Sequence, residues 1–265
     1  MDLHSIKALF LDMDGVLWHG KNPIGDLPSI FHKFQKIGII PLFGTNNSTR
    51  TPEAYRDYLA KMGVEINSDQ VITPAVGAAY LFQRDFSINA RIHVFGSNAL
   101  KEYLQKAGFS LVDENADIVL VSLDKEMTYQ KVAVAMKLIN EGAAFYATNL
   151  DNVLASENGW IPGGGVMVNA VQTCTGVSPI VIGKPNTIMA NIACEKTGLH
   201  PSEILAVGDR YDTDILGGIR AGCRTALVLS GVDSKSSIAC YAEQPDLICQ
   251  DLNTIADQLL TERSQ

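Results

Sequence analysis

The chain has 265 residues, of which 46% are hydrophobic and 19% charged, and its formal net charge is −8. This length and composition predict a globular protein of one large or two modest domains and exclude a disordered chain. The acidic balance argues against a nucleic-acid partner, because phosphate backbones need a basic binding face. Small phosphate esters stay open as ligands, since a local pocket and a metal ion can bind them.

The cysteines and the N-terminal residues indicate in which cellular compartment the protein is found. Five cysteines are present and no CxxC pair occurs, a pattern that favours reduced thiols over a disulfide framework or a zinc site. The first residues lack the basic and apolar regions of a signal peptide. No apolar run approaches the roughly 18 residues that a membrane span needs. We therefore expect a cytoplasmic protein with no membrane partner.

The first apolar run, Ala8–Leu11, ends at Asp12, Asp14 and Gly15. A short, uninterrupted apolar run predicts a strand buried on both faces. Open α/β sheets bind ligands at the carboxyl ends of their strands. Two carboxylates at such a position cost free energy unless a cation or another partner compensates them. Asp12 and Asp14 are therefore candidates for a metal-assisted reaction centre.

The segments that follow alternate between helix and strand. A helix is predicted from 26 or 28 to 37, and a second apolar run covers 39–43. Small polar residues occupy 44–49, and Pro52 lies in the first turn of the next helix, which reaches about residue 62. Strands and helices that alternate in this way predict a parallel α/β sheet.

A second α/β unit is predicted between residues 73 and 179. Its predicted helices and strands are helices 74–82, 98–107, 128–140 and 166–175, and strands 91–96, 117–121 and 143–147.

The last block returns to the first pattern. Its predicted elements are strand 179–183, helix 187–197, strand 204–208, helix 212–221, strands 225–229 and 247–248, and helix 252–260.

Four apolar runs end in chemically reactive side chains, which a parallel sheet would bring to one edge. In chain order these are Asp12 and Asp14, Thr45 and Asn46, Lys184, and Asp209. Carboxylates suit Mg²⁺, a lysine supplies a compact positive charge, and a hydroxyl and an amide can hydrogen-bond an anion. Phosphoryl transfer requires this set, and a carboxylate can be its nucleophile.

Four motifs resemble those of the haloacid dehalogenase superfamily of phosphohydrolases. They are Asp-Met-Asp-Gly-Val at 12–16, Thr-Asn-Asn-Ser at 45–48, Gly-Lys-Pro-Asn at 183–186 and Gly-Asp-Arg-Tyr-Asp-Thr-Asp at 208–214. The long insert, with Ala-Thr-Asn-Leu-Asp at 147–151 and Pro-Gly-Gly-Gly at 162–165, resembles the C2-type cap of the NagD and p-nitrophenylphosphatase branch. The resemblance implies a Rossmann-like core at 1–75 and 180–265 and an inserted α/β cap at 76–179.

The resemblance also implies roles for the acidic residues. Asp12 would be the nucleophile and a Mg²⁺ ligand, and Asp14 would be the general acid and base and give its backbone carbonyl to the metal. Asp209 would complete the metal site. Asp214 would orient metal-bound waters or Lys184, although an acidic residue at a helix N-terminus needs no such role.

The remaining implied roles concern the phosphate. Thr45 and Asn46 would bind the transferring phosphoryl group, and Lys184 would stabilise the charge that nucleophile and phosphate share. The chain departs from the branch at Gly44, where a larger apolar residue is common, and at Leu150, where proline is common.

In the insert, Asn149 and Asp151 could face the substrate or form a turn at a strand end.

These observations predict a Mg²⁺-dependent phosphatase that hydrolyses small phosphomonoesters through an aspartyl-phosphate on Asp12. Its partner would be a small phosphorylated metabolite, and a homo-oligomer through the cap stays open. Two alternatives remain: a phosphotransferase or phosphomutase that uses the same chemistry, and a catalytically silent regulatory module. The sequence does not identify the substrate among nucleotides, sugar phosphates, phosphoglycolate and pyridoxal phosphate.

Overall fold

The computed structural model describes residues 2–87, 89–156 and 159–263. Strands occur along the whole of this length. They are β1 (Ala8–Leu11), β2 (Trp18–His19), β3 (Asn22–Pro23), β4 (Ile40–Gly44), β5 (Val71–Ile72), β6 (Arg91–Phe95), β7 (Ser110–Leu111), β8 (Ile118–Val121), β9 (Ala144–Ala147), β10 (Val153–Ser156), β11 (Gly159–Pro162), β12 (Ile180–Val181), β13 (Ile204–Gly208), β14 (Arg224–Val228) and β15 (Leu247–Cys249).

The helices lie between these strands, as the alternating pattern predicts. They are α1 (Leu27–Lys36), α2 (Pro52–Lys61), α3 (Pro74–Asp85), α4 (Asn98–Lys106), α5 (Tyr129–Asn140), α6 (Gly164–Thr175), α7 (Ile188–Thr197), α8 (Leu216–Ala221), α9 (Lys235–Ile238) and α10 (Leu252–Arg263). Side chains cap several of them: Asp26 accepts the Ser29 N–H at the start of α1, and Thr73 accepts the Val76 N–H at the start of α3.

Two compact units divide the chain. The first comprises Met1–Thr45, Pro52–Ile72 and Lys184–Gln265, and the second comprises Asn46–Thr51 and Thr73–Gly183. The sequence places residues 46–51, 73–75 and 180–183 in the core, whereas their contacts group all three segments with the inserted residues. For the loop 46–51 the difference arises because Asn46 bonds to the insert. For 180–183 it arises because β12 pairs with β9.

The described residues of the first unit contain a six-stranded sheet in the order β15-β14-β13-β1-β4-β5. Every pairing in it is parallel. All four residues of β1 are buried, because β1 lies in the middle of the sheet and packs on both faces. Leu9 and Leu11 belong to one core cluster with Phe34 of α1 and Ile255 of α10. The predicted α/β fold with a parallel sheet is confirmed.

The second unit has its own parallel sheet, in the order β12-β9-β8-β6-β7. Val119 and Val121 of β8, Phe145 of β9 and Val168 of α6 belong to one buried cluster. An antiparallel hairpin of β10 and β11 follows the sheet. None of the strands predicted from the sequence covers this hairpin.

One predicted helix differs from its expected form. The segment 212–221 is predicted as a single helix, but Tyr211–Ile215 forms a wide π turn before α8 begins at Leu216. Within the described ranges, no helix combines the length and apolarity that crossing a bilayer requires.

Candidate active site

Three neighbouring strands of the first unit end at the same level. Leu11 of β1 pairs with Phe43 of β4 on one side and with Val207 of β13 on the other. The residues that follow these strands therefore emerge together at the carboxyl edge of the sheet. The backbone N–H of Asp12 continues this pairing with a bond to the Val207 carbonyl at 2.8 Å.

Lys184 joins these strand ends through its ammonium group. Its Nζ donates to Asp12 Oδ1 at 2.5 Å and to the Gly44 carbonyl at 2.9 Å, and it lies 2.7 Å from Asp214 Oδ1. An ammonium has three N–H donors, and these three acceptors match them. The Lys184 side chain is only 8% exposed, so the ion pairs hold it in one position beside Asp12.

Three carboxylates surround this lysine. Asp12, Asp209 and Asp214 each offer an oxygen, and the three oxygens lie within 4.8 Å of one another. Asp209 is fixed by the backbone N–H of Val232 at 2.8 Å, and Asp214 accepts the N–H of Arg210 at 3.1 Å. One ammonium does not balance three carboxylates, so the cluster has the charge and the oxygen donors that a hard divalent cation requires.

The pKa values follow from this crowding. Burial, together with Asp214 and Asp209, raises the pKa of Asp12 well above its ordinary value, although Lys184 opposes the shift. Burial and the Asp214 charge raise the pKa of Asp209 to about 7. Burial lowers the pKa of Lys184, but Asp12 and Asp214 outweigh it and the net shift is upward, so the lysine stays charged.

Glycines allow the backbone to approach these carboxylates. Gly15 has a φ of +82°, and a Cβ at Gly15 or Gly231 would overlap the Asp209 carboxylate. The positive φ and the close approach both require glycine at position 15.

Asp14 lies outside the carboxylate cluster. It is exposed, and its Oδ1 accepts the indole N–H of Trp18 at 2.9 Å. Sequence reasoning missed Trp18; the available signal was an aromatic residue directly after the turn that Gly15 begins. The side chain of Asp14 is therefore placed apart from the oxygens of Asp12 and Asp209.

Comparisons with known proteins assign the family. A family model described as haloacid dehalogenase-like hydrolase matches residues 9–110, and a second model of HAD-like hydrolases matches residues 181–255. An acid sugar phosphatase from Staphylococcus aureus (strain MRSA252) is 36% identical over 255 residues, which cover 96% of this chain and 98% of that protein. This chain belongs to the haloacid dehalogenase-like hydrolases.

Solved structures agree with this assignment. NagD from E. coli K-12 superposes with a TM-score of 0.87 at 30% identity, covering 94% of this chain and 97% of that one. The 4-nitrophenylphosphatase from Thermotoga maritima superposes with a TM-score of 0.91 at 29% identity, covering 96% and 98%. The predicted superfamily, its NagD and p-nitrophenylphosphatase branch, and the enzyme class of phosphatase are confirmed.

The two predicted phosphate-binding residues of this haloacid dehalogenase-like hydrolase lie in different units. Thr45 directly follows β4 in the first unit, is 4% exposed and donates its N–H to the Ile72 carbonyl. Asn46 groups with the second unit, where its Nδ2 donates to Asp151 Oδ2 at 3.2 Å and its carbonyl accepts from Asn149 Nδ2 at 2.8 Å.

Asn149 forms a turn at the end of β9. Its Oδ1 accepts the backbone N–H of Asp151 at 3.1 Å, a bond from a side chain to the backbone two residues on. Of the two interpretations left open for Asn149 and Asp151, the structure shows the strand-end turn, and the same pair also binds Asn46.

Proposed function

We propose that this enzyme hydrolyses small phosphomonoesters through a phosphoryl group carried covalently on Asp12. The observation that carries the proposal is the position of Asp12 at the end of the central strand. There its carboxylate contacts the Lys184 ammonium and lies among the carboxylates of Asp209 and Asp214. A buried cation beside a carboxylate favours its ionised, nucleophilic form and offsets the charge of an incoming phosphate.

In the first step an Asp12 carboxylate oxygen attacks phosphorus and the bond from phosphorus to the ester oxygen breaks. The bonding electrons leave with the ester oxygen, and Asp14 gives that oxygen a proton, so an alcohol departs. Lys184 keeps its ion pair with Asp12 and offsets the charge on the phosphoryl oxygens. The Thr45 hydroxyl and the Asn46 amide hydrogen-bond the same oxygens in this proposal.

In the second step Asp14, now ionised, takes a proton from water, and the water oxygen attacks phosphorus. The bond between phosphorus and Asp12 breaks, which regenerates the carboxylate and releases inorganic phosphate. In this scheme Asp214 neither attacks phosphorus nor transfers a proton. Its ion pair with Lys184 holds the lysine against Asp12 throughout the cycle.

A Mg²⁺ ion fits the acidic cluster, because its donors are oxygens and its negative charge exceeds that of the one ammonium. The side chains of Asp12 and Asp209 would hold it together with the backbone carbonyl of Asp14. When bound, Mg²⁺ supplies positive charge that offsets the phosphoryl oxygens and aligns the phosphate with the nucleophile.

For the substrate class we favour sugar phosphates. The name of the S. aureus relative, an acid sugar phosphatase, supports this choice over nucleotides, phosphoglycolate and pyridoxal phosphate. The prediction of a cytoplasmic enzyme is supported by its cysteines, which are all free. The absence of a nucleic-acid or membrane partner and the use of the cap in oligomers stay predictions.

The nucleophile assignment is tested with Asp12→Asn, which keeps the size of the side chain but removes its charge. Phosphate release from a panel of sugar phosphates should fall by at least about a thousandfold, since the covalent step is lost. Asp212→Asn is the matched control, because Asp212 is exposed and its carboxylate accepts two hydrogen bonds from Arg210. Among the described residues, Arg210 is the only partner of this carboxylate. Circular dichroism and thermal melting check that both variants fold.

The same assay separates the alternatives. Turnover retained by Asp12→Asn would contradict the covalent step. Removing metal with EDTA should stop turnover, and Mg²⁺ should restore it. Adding acceptor alcohols distinguishes hydrolysis from phosphotransfer, because a transferase would form new phosphate esters at the expense of inorganic phosphate.

A further inference from the structure

Asp14 has a specific neighbour that its role in proton transfer does not explain. The indole Nε1 of Trp18 donates to Asp14 Oδ1 at 2.9 Å. Asp14 is exposed, whereas Trp18 is only 2% exposed. An exposed carboxylate on a turn is thus bonded to a donor that the core holds in place.

The turn between the two residues brings them together. Gly15, at a φ of +82°, reverses the chain, and its N–H donates to the Trp18 carbonyl at 2.8 Å. The Leu17 N–H donates to the Met13 carbonyl at 2.8 Å, which closes the same turn. The backbones of Asp14 and Trp18 are consequently adjacent, so the indole N–H lies within hydrogen-bonding distance of the carboxylate.

The ring of Trp18 is anchored on its other side. It packs edge to face against Tyr58 of α2, with ring centroids 5.1 Å apart and an interplanar angle of 85°. The Tyr58 hydroxyl donates to the Gly20 carbonyl at 2.9 Å, which ties α2 to the turn that follows β2. The indole N–H is therefore aimed at Asp14 by packing.

We propose that Trp18 is a positioning residue for the general acid and base, an inference that rests on the proposed role of Asp14. An indole N–H can donate but cannot accept a hydrogen bond. The hydrogen bond therefore holds Oδ1 against the indole, and we assign proton transfer to Oδ2. Trp18 in this way selects one oxygen and one rotamer of Asp14 for proton transfer.

The kinetic test uses Trp18→Phe, which keeps an aromatic ring against Tyr58 and removes the N–H. For an alkyl ester such as glycerol phosphate, kcat/KM should fall by about tenfold or more, because the alkoxide needs a proton from a positioned acid. For p-nitrophenyl phosphate it should fall by less than about threefold, because nitrophenolate leaves without one. The loss should lie in kcat, with KM unchanged.

Trp160→Phe is the matched control, since Trp160 is 66% exposed and is the second of the two tryptophans in the chain. It should leave the ratio of the two kcat/KM values unchanged. Equal losses on both esters in Trp18→Phe would overturn the proposal and reduce Trp18 to a packing residue.

A second measurement needs no activity. In protein labelled with ¹⁵N-tryptophan, the ¹H–¹⁵N spectrum has two indole signals, and Trp160→Phe assigns them. Asp14→Asn should shift the Trp18 indole proton upfield, because a neutral amide oxygen accepts a weaker hydrogen bond than a carboxylate. An unmoved Trp18 signal would overturn the contact, and this measurement decides the matter if Trp18→Phe does not fold. If the wild type hydrolyses no phosphate ester, the proposed function fails while this contact is still tested.

Discussion

At the scale of single residues, Gly44 shows how core packing reaches the active site. A Cβ at position 44 would overlap the ring of Phe10, which is itself buried in β1. The carbonyl of Gly44 accepts a hydrogen bond from Lys184. Glycine at position 44 thus leaves room for the Phe10 ring of the neighbouring strand, where the resemblance to the family predicts a larger apolar residue.

This pairing predicts a strong coupling between the two positions. Gly44→Val should destabilise the protein by about 1–3 kcal/mol through overpacking, and Phe10→Ala by about 3–5 kcal/mol through a cavity. The double variant should lose less than the sum, because the new valine occupies space that the ring vacates. Urea denaturation of all four proteins measures the coupling. Strictly additive losses would show that the ring does not fill the space above Gly44.

Residues differ in how well the sequence predicts their roles. Asp12 and Asp209 follow apolar strands of one parallel sheet, so strand order alone brings them to one edge. Lys184 follows β12, which belongs to the other sheet, and the contact of its side chain with Asp12 does not follow from strand order. The bond from Trp18 to Asp14 and the overlap of Phe10 with Gly44 depend on where side chains point after folding. Asn46 matches a phosphate-binding motif, but its bond to Asp151 links positions more than a hundred residues apart, which no local pattern reveals.

At the scale of elements, the two turns that flank β2 each contain a glycine, Gly15 before the strand and Gly20 after it. Both have a positive φ, +82° at Gly15 and +59° at Gly20. A Cβ at Gly15 would overlap Asp209, whereas a Cβ at Gly20 would meet no atom within 4 Å. Backbone strain is common to both positions, and steric overlap is confined to Gly15.

Alanine at each position separates the two effects. Gly20→Ala should cost about 1 kcal/mol of stability and keep phosphatase activity, because an alanine in the left-handed region is strained but not crowded. Gly15→Ala should cost more and should lower activity by at least about tenfold, since it displaces the Asp209 carboxylate. Chemical denaturation and phosphate release are measured side by side. Equal activity in the two variants would contradict the importance of the Asp209 contact.

Elements with strong local signals are predicted from the sequence, and weak ones are not. Thr73 and Pro74 mark the start of α3, and the apolar run 8–11 marks β1, so both are found where expected. The hairpin of β10 and β11 has exposed residues, and no apolar run in the sequence predicts it. The residues of the π turn at Tyr211–Ile215 are also found at ordinary helix starts, so the sequence does not distinguish the two forms.

At the scale of the whole molecule, we expect the acidic cluster to make the stability of the fold depend on pH. In the metal-free protein the pKa of Asp209 is raised by burial from 3.8 to about 7. The folded state therefore binds more protons than the unfolded state between these values, and stability falls as pH rises through this window. Burial lowers the pKa of His93, and this shift makes stability rise with pH, opposite to the effect of Asp209. The test therefore needs a variant that changes Asp209 alone.

Asp209→Asn isolates it. In the absence of metal, this variant should be more stable than the wild type by about 1–3 kcal/mol at pH 8, and the difference should shrink toward pH 5. Thermal melting in EDTA at a series of pH values measures this difference. Added Mg²⁺ should raise the melting temperature of the wild type at pH 8 more than that of Asp209→Asn, by mass action on the folded state. A variant that is less stable than the wild type at every pH would contradict the charge crowding.

The parallel pairing of β1 with β13 has a consequence for biosynthesis. Residue 11 lies next to residue 207 in the sheet, so the central strand lacks one neighbour until β13 has been synthesised. Contacts this far apart in sequence form late and slowly. The proposed nucleophile, Asp12, is made long before Asp209, so the carboxylate cluster is incomplete until β13 has been synthesised and has paired with β1. We therefore expect a chain that stops before β13 to show no phosphatase activity.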